Sequence, residues 1–355
     1  MKNGRTSDNV TVSVIIPAYN CMEYIPAALD SVFAQTFTDF EIVLVNDGSP
    51  DSEMLERLIA PYRDRIIYRK QENRGPAAAR NTGIRAARGK YLAFLDSDDC
   101  WPPEYLAAQM RLFEETPSLD LVYADAFYFG DAPLPRKTFI TAANPHLATL
   151  GDLLLEGNQI IPSGAVARKQ VIVDAGLFDE SLRGPEDYDM WLRIAYRGAK
   201  IAYQPKVLAL RRVHANALTS NDTKMLEAEE QVLRKLEKTS HLSPETRSLL
   251  LGRLASVSAY VDLEKGKRHL LSGDTDRARD SLGHAYAFLR RGNPRPRGMS
   301  IYLVSDPKAM IFLRRAKLRV LLWGLRIAPR LTAFGARTWE HFLPTLKVLT
   351  GQSKV

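Results

Sequence analysis

The sequence predicts an α/β protein: a mostly parallel, doubly wound sheet followed by a helical C-terminal extension. Short apolar runs rich in β-branched residues alternate with helical patterns through the first hundred residues, which is typical of strand–helix–strand units. After Asn221 the pattern changes to almost continuous helix. The 355 residues, 45% hydrophobic and 25% charged, are enough for two domains with a full core.

Four apolar runs predict buried parallel strands, because strands covered on both faces are continuously apolar rather than alternating. These runs are Val12–Ile16, Glu41–Val45, Ile66–Tyr68 and Tyr91–Leu95. A helical pattern follows each run, most clearly in the Ala-rich segment Pro76–Arg88. After residue 120 the alternation is less regular, and the pattern predicts strands at Leu121–Ala124 and Lys200–Tyr203 and a helix at Asp187–Tyr196.

Three regions are predicted along the chain. Residues 10–220 form the α/β domain, and residues 221–292 form a helical hairpin that turns at Gly273-Asp274 and resembles a single tetratricopeptide-like unit. A single unit of that kind cannot bury its own apolar face, so we expect it to pack on the main domain or on a partner. Residues 293–355 form a basic amphipathic tail.

The excess positive charge is concentrated in that tail. Residues 1–220 hold 24 basic and 28 acidic residues, whereas residues 290–355 hold 14 basic and 2 acidic ones. Basic proteins often bind nucleic acid, but here the α/β part is acidic, so no nucleic-acid partner is expected. Apolar side chains interleaved with Arg suit a helix that lies on an anionic membrane surface. A solvated extension and a helix that docks on a partner protein are the alternatives.

The N-terminal residues are polar, and no uncharged apolar run reaches the length of a membrane span. The sequence therefore predicts a cytoplasmic protein that is peripheral on the inner face of the cell membrane.

Polar clusters follow several of the predicted strands, and ligands of open α/β sheets bind beyond the carboxyl ends of the strands. Asp96 and Asp98 leave the fourth strand in the phrase DSDD. Two carboxylates one residue apart can hold Mg²⁺ or Mn²⁺, which prefer oxygen ligands and substrate phosphates. The alternative is that the aspartates cap a helix over Pro102–Glu115.

Two other acidic positions also allow two interpretations. Asp47 ends the second strand, where it could accept hydrogen bonds from a nucleoside or simply form an Asp-Gly turn. Glu186 and Asp187 could serve an acceptor hydroxyl as general base or favour the first turn of a helix.

Five phrases resemble the family 2 glycosyltransferases, in the order and spacing of that family. They are VSVIIPAYN (12–20), VNDGS (45–49), ENRGPAAARNTGIRAARGKY (72–91), FLDSDD (94–99) and GPEDYDMWLR (184–193). The resemblance implies an inverting, nucleotide-sugar-dependent enzyme of the GT-A type.

The family resemblance also implies roles for individual residues. The predicted nucleotide-sugar site consists of Pro17, Ala18, Tyr19, Asp47, Arg80, Asp96 and Ser97. Asp187 matches the general base and Glu186 its acidic neighbour, so both are predicted catalytic residues. Asp98 matches the direct ligand of a Mn²⁺ or Mg²⁺ cofactor, and His214, in a C-terminal R-x-H segment, could complete the metal shell or contact the diphosphate.

The predicted function is transfer of a sugar from a nucleotide-diphospho-sugar to a hydroxyl acceptor, such as a cell-envelope or lipid-linked glycan. A metal-dependent nucleotidyltransferase is one alternative, but the phrase PAYNCMEY after the first strand lacks the Gly-rich, basic phosphate loop expected there. A non-catalytic nucleotide-binding or membrane-docking module is the other, and it leaves the acidic clusters unexplained.

Overall fold

A computed structural model of the chain describes residues 10–130, 148–182, 184–214, 222–239 and 241–290. The chain divides into two compact units, Met1–Ser220 and Asn221–Val355. The predicted tail at residues 293–355 lies outside the described residues.

The first unit is built on a seven-stranded sheet with the strand order β3-β2-β1-β4-β6-β5-β7. The strands are β1 (Val12–Ala18), β2 (Phe40–Asp47), β3 (Ile66–Gln71), β4 (Tyr91–Phe94), β5 (Leu121–Gly130), β6 (Ala165–Arg168) and β7 (Ile201–Val213). β6 is antiparallel to both of its neighbours, and the other neighbouring pairs are parallel. The prediction of a mostly parallel α/β sheet is therefore confirmed.

Seven helices accompany the sheet in the described part of this unit. They are α1 (Ile25–Phe33), α2 (Ser52–Ile59), α3 (Pro76–Ala86), α4 (Tyr105–Glu115), α5 (Leu150–Glu156), α6 (Lys169–Asp174) and α7 (Glu186–Tyr196), with 3₁₀ turns at Ala60–Arg65 and Pro162–Gly164. The predicted strands β1, β2 and β4 are buried along nearly their whole length, which explains why their sequences read as unbroken apolar runs.

β1 and β2 run in register, and Ala18 lies beside Asn46 at their carboxyl ends. β4 pairs with the other edge of β1, with Phe94 beside Ile15. The turns that leave β1, β2 and β4 therefore emerge at the same edge of the sheet, where the polar clusters of the sequence are found.

The described part of the second unit is helical and contains α8 (Asp222–Glu237), α9 (Pro244–Leu271) and α10 (Thr275–Arg290). α9 and α10 are joined by a short turn in which Gly273 has a positive φ of 82°. Their facing sides bury a small apolar cluster that includes Tyr260, Leu263 and Leu282. Among the described helices of both units, none combines the length and the apolar character needed to cross a membrane.

Candidate active site

The carboxyl end of β1 carries Pro17 and Ala18, followed by Tyr19. Ala18 is fully buried, whereas the Tyr19 side chain is half exposed at 50%. The next residue, Asn20, has a positive φ of 49°, and its amide N–H donates to Oγ of Ser49 at 3.2 Å. The loops after β1 and β2 are thus tied together, with the tyrosine ring left accessible at the edge of the sheet.

Asp47 ends β2 and is almost completely buried. Its Oδ1 accepts hydrogen bonds from Nε2 of Gln71 at 2.8 Å and from the amide N–H of Arg74 at 2.9 Å. Its Oδ2 accepts from the amide N–H of Gly75 at 2.8 Å, at the start of α3. Asp47 therefore does more than form an Asp-Gly turn, because it fastens the segment between β3 and α3 to the end of β2.

Arg80 lies in the middle of α3 and is buried, with 3% of its surface exposed. Its Nη2 donates to Oδ1 of Asp96 at 2.7 Å, and its Nη1 donates to Oε1 of Glu186 at 2.5 Å. Burial alone would lower the pKa of the guanidinium, but the two carboxylates outweigh it and raise that pKa. Arg80 is therefore a permanent buried cation that joins the turn after β4 to the start of α7.

Glu186 and Asp187 begin α7, as expected for acidic residues near a helix N-terminus. Burial raises the pKa of Glu186 to about 7, against the opposing effect of Arg80. Burial also raises the pKa of Asp187, although Arg80 and a hydrogen bond from Asn158 act against it. The helix-start and active-site interpretations of these two residues are thus compatible.

Glu186 and Asp187 differ in the exposure of the whole residue and in their hydrogen-bond partners. Glu186 is buried and bonded to Arg80, whereas Asp187 is partly exposed. Oδ2 of Asp187 accepts from Nδ2 of Asn158 at 3.0 Å, and its Oδ1 accepts from the amide N–H of Tyr188 at 2.7 Å. Of the acidic pair, Asp187 is the residue that keeps part of its surface exposed and has no described hydrogen bond to Arg80.

The Asp96–Asp99 turn does not cap a helix. α4 begins at Tyr105 rather than at Pro102, and its N-cap, Glu104, makes no capping hydrogen bond through its side chain. Buried Asp99 instead accepts from Oγ of Ser163 at 2.6 Å and from the amide N–H of Arg212 at 2.8 Å. The capping interpretation is therefore wrong, and the turn is held against β7 and the 3₁₀ turn before β6.

Burial, together with the negative charges of Asp98 and Asp96, raises the pKa of Asp99 well above its usual value. Ser97 lies between those two residues, and its side chain hydrogen-bonds the thiol of Cys21. Burial raises the pKa of Cys21 to about 11 despite this hydrogen bond, so the thiol stays protonated and acts as a packing group.

Asp98 and His214 come together at the end of β7. Oδ2 of Asp98 lies 2.9 Å from Nε2 of His214, whose ring packs at 4.9 Å from the ring of Tyr24. Nδ1 of His214 is buried and has no hydrogen-bond partner among the described residues. Asp98, predicted as a metal ligand, and His214, predicted to complete the metal shell or contact the diphosphate, are 116 positions apart in the chain and direct neighbours in the structure.

A divalent cation fits this pair by the chemistry of its donors. Carboxylate oxygen and imidazole nitrogen are both ligands of Mn²⁺-type ions, and the two donor atoms already face each other. Across the described ranges, no three His, Cys, Asp or Glu side chains are grouped as a ready-made metal site. A metal held here by two residues would need the remainder of its coordination from water and substrate phosphate, which is how Mg²⁺ commonly binds.

Two residues that contact the candidate site, Arg212 and Asn158, are not among the site residues predicted from the sequence. The Nε of Arg212 donates to the carbonyl oxygen of Asp98 at 3.0 Å, and its guanidinium lies over the rings of Tyr24 and Phe129 at 4.8 and 4.3 Å. Arg212 could have been predicted from the R-x-H phrase, because it is the arginine of that phrase and His214 is the histidine. Asn158 stands in no motif, so its place beside Asp187 could be found only in three dimensions.

The described contacts bring the predicted residues into two adjoining clusters. Arg80 joins Asp96 to Glu186, next to Asp187, while Asp98 contacts His214 farther along the same turn. The other predicted residues, Pro17, Ala18, Tyr19, Asp47 and Ser97, lie in the turns and strand ends at the same edge of the sheet without a described hydrogen bond to either cluster.

Comparison with known proteins matches the sequence to a family. The model described as Glycosyl transferase family 2 matches residues 13–172. The chain is 32% identical over 235 residues to an Escherichia coli protein named UDP-Glc:alpha-D-GlcNAc-diphosphoundecaprenol beta-1,3-glucosyltransferase WfaP, covering 65% of this chain and 88% of that protein.

Solved structures share the fold at lower identity. The crystal structure of Staphylococcus aureus TarS 1–349 in complex with UDP-GlcNAc has a TM-score of 0.60 and 21% identity, over 89% of this chain and 87% of that one. The Pyrobaculum calidifontis mannosyltransferase PcManGT in complex with GDP-Man and Mn²⁺ has a TM-score of 0.55 and 18% identity, over 96% and 85%. From the family match and the identity to WfaP, the chain belongs to the family 2 glycosyltransferases and is a transferase enzyme.

Proposed function

We propose that this glycosyltransferase is an inverting, metal-dependent enzyme that moves a sugar from a nucleotide-diphospho-sugar to a hydroxyl acceptor, with Asp187 as general base. The observation that carries the proposal is the buried Arg80, whose two Nη atoms hold Asp96 and Glu186 in one cluster. Arg80 therefore connects the turn after β4, which belongs to the predicted donor site, to Glu186, the neighbour of Asp187. Family membership favours glycosyl transfer over the nucleotidyl-transfer and non-catalytic alternatives.

The proposed chemistry needs a carboxylate on the acceptor side of the anomeric carbon. The acceptor oxygen attacks that carbon, the bond to the nucleotide diphosphate breaks on the opposite face, and the hydroxyl proton passes to Asp187. Burial raises the pKa of Asp187, which makes its carboxylate a stronger base than an exposed aspartate. Glu186 is bonded to Arg80 and serves to hold that cation and the start of α7.

Asp98 and His214, whose side chains are direct neighbours, are the proposed ligands of a Mn²⁺ or Mg²⁺ ion. When bound, such an ion neutralises charge that develops on the departing diphosphate. Arg212 supports the pair, because its Nε holds the Asp98 carbonyl and its backbone holds Asp99. The mannosyltransferase PcManGT, which shares the fold, was solved in complex with Mn²⁺, and this supports the assignment.

The proposed donor site runs along the carboxyl edge of the sheet. It comprises Pro17, Ala18, Tyr19, Asp47, Asp96 and Ser97, with Arg80 acting behind Asp96 rather than on the sugar nucleotide directly. The donor is a nucleotide-diphospho-sugar, and UDP-sugars come first because WfaP and the TarS complex are named with them.

The proposed acceptor is a lipid-linked or cell-envelope glycan, following the diphosphoundecaprenol acceptor in the name of WfaP. A lipid-linked acceptor is anchored in a membrane. The basic and apolar composition of residues 293–355 supports docking on an anionic membrane surface, with the protein on the cytoplasmic side.

A thermal-shift panel of nucleoside diphosphates and their sugars, with and without Mn²⁺, tests the donor and the metal together. A ligand that binds the native state raises the melting temperature. We expect the cognate sugar nucleotide to stabilise the protein more in Mn²⁺ than in EDTA, and Asp98→Ala to remove that difference. Equal shifts with and without metal would exclude a metal bound through Asp98, and no shift with any sugar nucleotide would exclude the proposed donor class.

A further inference from the structure

We propose that Asn158 is an acceptor-side residue of the transfer reaction: its amide nitrogen positions the Asp187 carboxylate, and its amide oxygen binds a hydroxyl or N–H group of the acceptor next to the attacking hydroxyl. The inference rests on the proposed function, since it takes Asp187 as the general base. It adds a positioning and specificity residue that the sequence pattern does not indicate.

The first observation is the hydrogen bond from Nδ2 of Asn158 to Oδ2 of Asp187, at 3.0 Å. Oδ1 of Asp187 is occupied by the amide N–H of Tyr188 at 2.7 Å. Each carboxylate oxygen therefore has one fixed donor, which sets the plane of the carboxylate and leaves lone pairs for a substrate proton. Both donors also favour the ionised form that a general base requires.

The second observation is the rigid frame around Asn158. Gly157, immediately before it, ends α5 with a positive φ of 81°, a conformation that favours glycine. The Tyr188 hydroxyl donates to the carbonyl oxygen of Leu153 at 2.8 Å, and Nε1 of Trp191 donates to that of Ile160 at 2.8 Å. Two buried aromatic residues of α7 thus clamp the segment on both sides of Asn158.

The third observation is that Oδ1 of Asn158 is buried and has no hydrogen-bond partner among the described residues. Buried amide oxygens are ordinarily paired, and an unpaired one beside a base is a ready acceptor for a ligand. Nδ2 of the same amide is bonded to Asp187, so Oδ1 lies close to that carboxylate. A sugar that presents its attacking hydroxyl to Asp187 would bring a neighbouring hydroxyl or N–H group to Oδ1.

Charged groups from three elements face Asp187. Arg80 of α3 lowers its pKa, Asp96 of the turn after β4 raises it, and Glu186 precedes it on α7. Removing the Asn158 amide leaves these charges unchanged and removes one donor to the ionised form. The pKa of Asp187 should then rise, and activity that requires the carboxylate should be lost at a higher pH than in the wild type.

Asn158→Leu and Asn158→Asp separate the two roles. Asn158→Leu removes both hydrogen-bonding groups, so we expect a loss of roughly tenfold or more in kcat/KM for the acceptor, with an unchanged KM for the donor. Asn158→Asp keeps the shape and an oxygen but loses the N–H donor. Both variants should move the acidic limb of the kcat profile upward by roughly one pH unit, and Asn158→Asp should move it further because it adds a negative charge.

Gln159→Ala is the matched control in the same segment, since no described hydrogen bond involves the Gln159 side chain; it should leave both KM values and the pH profile unchanged. The inference is overturned if the acidic limb of the Asn158 variants stays in place, or if donor and acceptor KM rise together. Asp187→Asn, measured alongside, distinguishes this from a failure of the proposed function. If Asp187→Asn is fully active, the general-base assignment itself has failed.

Discussion

Two acidic side chains of this site, Asp96 and Glu186, pair with the same buried cation, Arg80. Removing a buried charge from water is costly unless it is paired, and Arg80 is paired with Asp96 and Glu186 through separate Nη atoms. Asp187, the other member of the acidic pair, is hydrogen-bonded to Asn158 and to the amide N–H of Tyr188 instead. The roles proposed for the two adjacent acidic residues therefore rest on their different hydrogen-bond partners.

The raised pKa of Glu186 predicts a pH dependence of stability. Its pKa in the folded protein is about 7, above the usual 4.5, so the folded protein binds this proton more tightly than the unfolded chain does. The stabilisation that results is fully present below about pH 4.5 and is lost as the pH rises through 7. We expect the free energy of unfolding of the wild type to fall between pH 5 and 8 by on the order of 2 kcal/mol more than that of Glu186→Gln. Urea unfolding of both proteins across this range measures it, and parallel curves would contradict the prediction.

α3 is the element that organises the site. Asp47 accepts from the amide of Gly75 at its N-terminus, Arg80 projects from its middle, and Gly83 packs against β1. A Cβ added at Gly83 would lie 2.6 Å from Cγ2 of Ile15, so the helix approaches the sheet more closely than any other residue type allows. The helix that carries Arg80 is therefore held close against the sheet.

Sequence patterns identified the elements whose environment is simplest. Strands β1, β2 and β4 are covered on both faces, so their apolar runs are unmistakable. β6 was missed because it has only four residues and is antiparallel, inserted between β4 and β5 by tertiary packing. β5 continues to Gly130, well past the predicted Ala124, because its later residues pair with Leu210–Val213 of β7.

α4 begins later than its apolar pattern predicts because two prolines precede it. The helix was predicted from Pro102 but begins at Tyr105. Pro103 disfavours the helical conformation in the residue that precedes it, so the Pro-Pro pair delays the helix. The Asp96–Asp99 turn lies before this start and makes contacts with Arg80, His214 and Arg212. The aspartates were foreseeable from their motif, but their partners, far away in the chain, were not.

Taken as a whole, the chain joins an acidic α/β unit to a helical unit and a strongly basic tail, in which residues 290–355 carry a net charge of +12. Electrostatic attraction to anionic lipids is worth about 1 kcal/mol per basic residue close to the surface and is screened by salt. Such a tail would hold the enzyme near the proposed membrane-anchored acceptor.

Deleting residues 295–355 tests this arrangement. The full chain should sediment with vesicles that contain anionic phospholipid and should be released by salt, because the attraction is screened. The shortened chain should stay in the supernatant while retaining the thermal shift with a sugar nucleotide. Equal sedimentation of both proteins would rule out the tail as the membrane-binding segment.

Asp187 is the proposed base of the transfer step, and Asp187→Asn tests this role most directly. Asparagine keeps the shape and can still hydrogen-bond Asn158, but it cannot take the acceptor proton. We expect the rate of sugar transfer to fall by about 10²- to 10⁴-fold, while the affinity for the nucleotide, measured by calorimetry, stays within about twofold. Transfer at nearly the wild-type rate, or loss of nucleotide affinity, would contradict the role of Asp187 as the base.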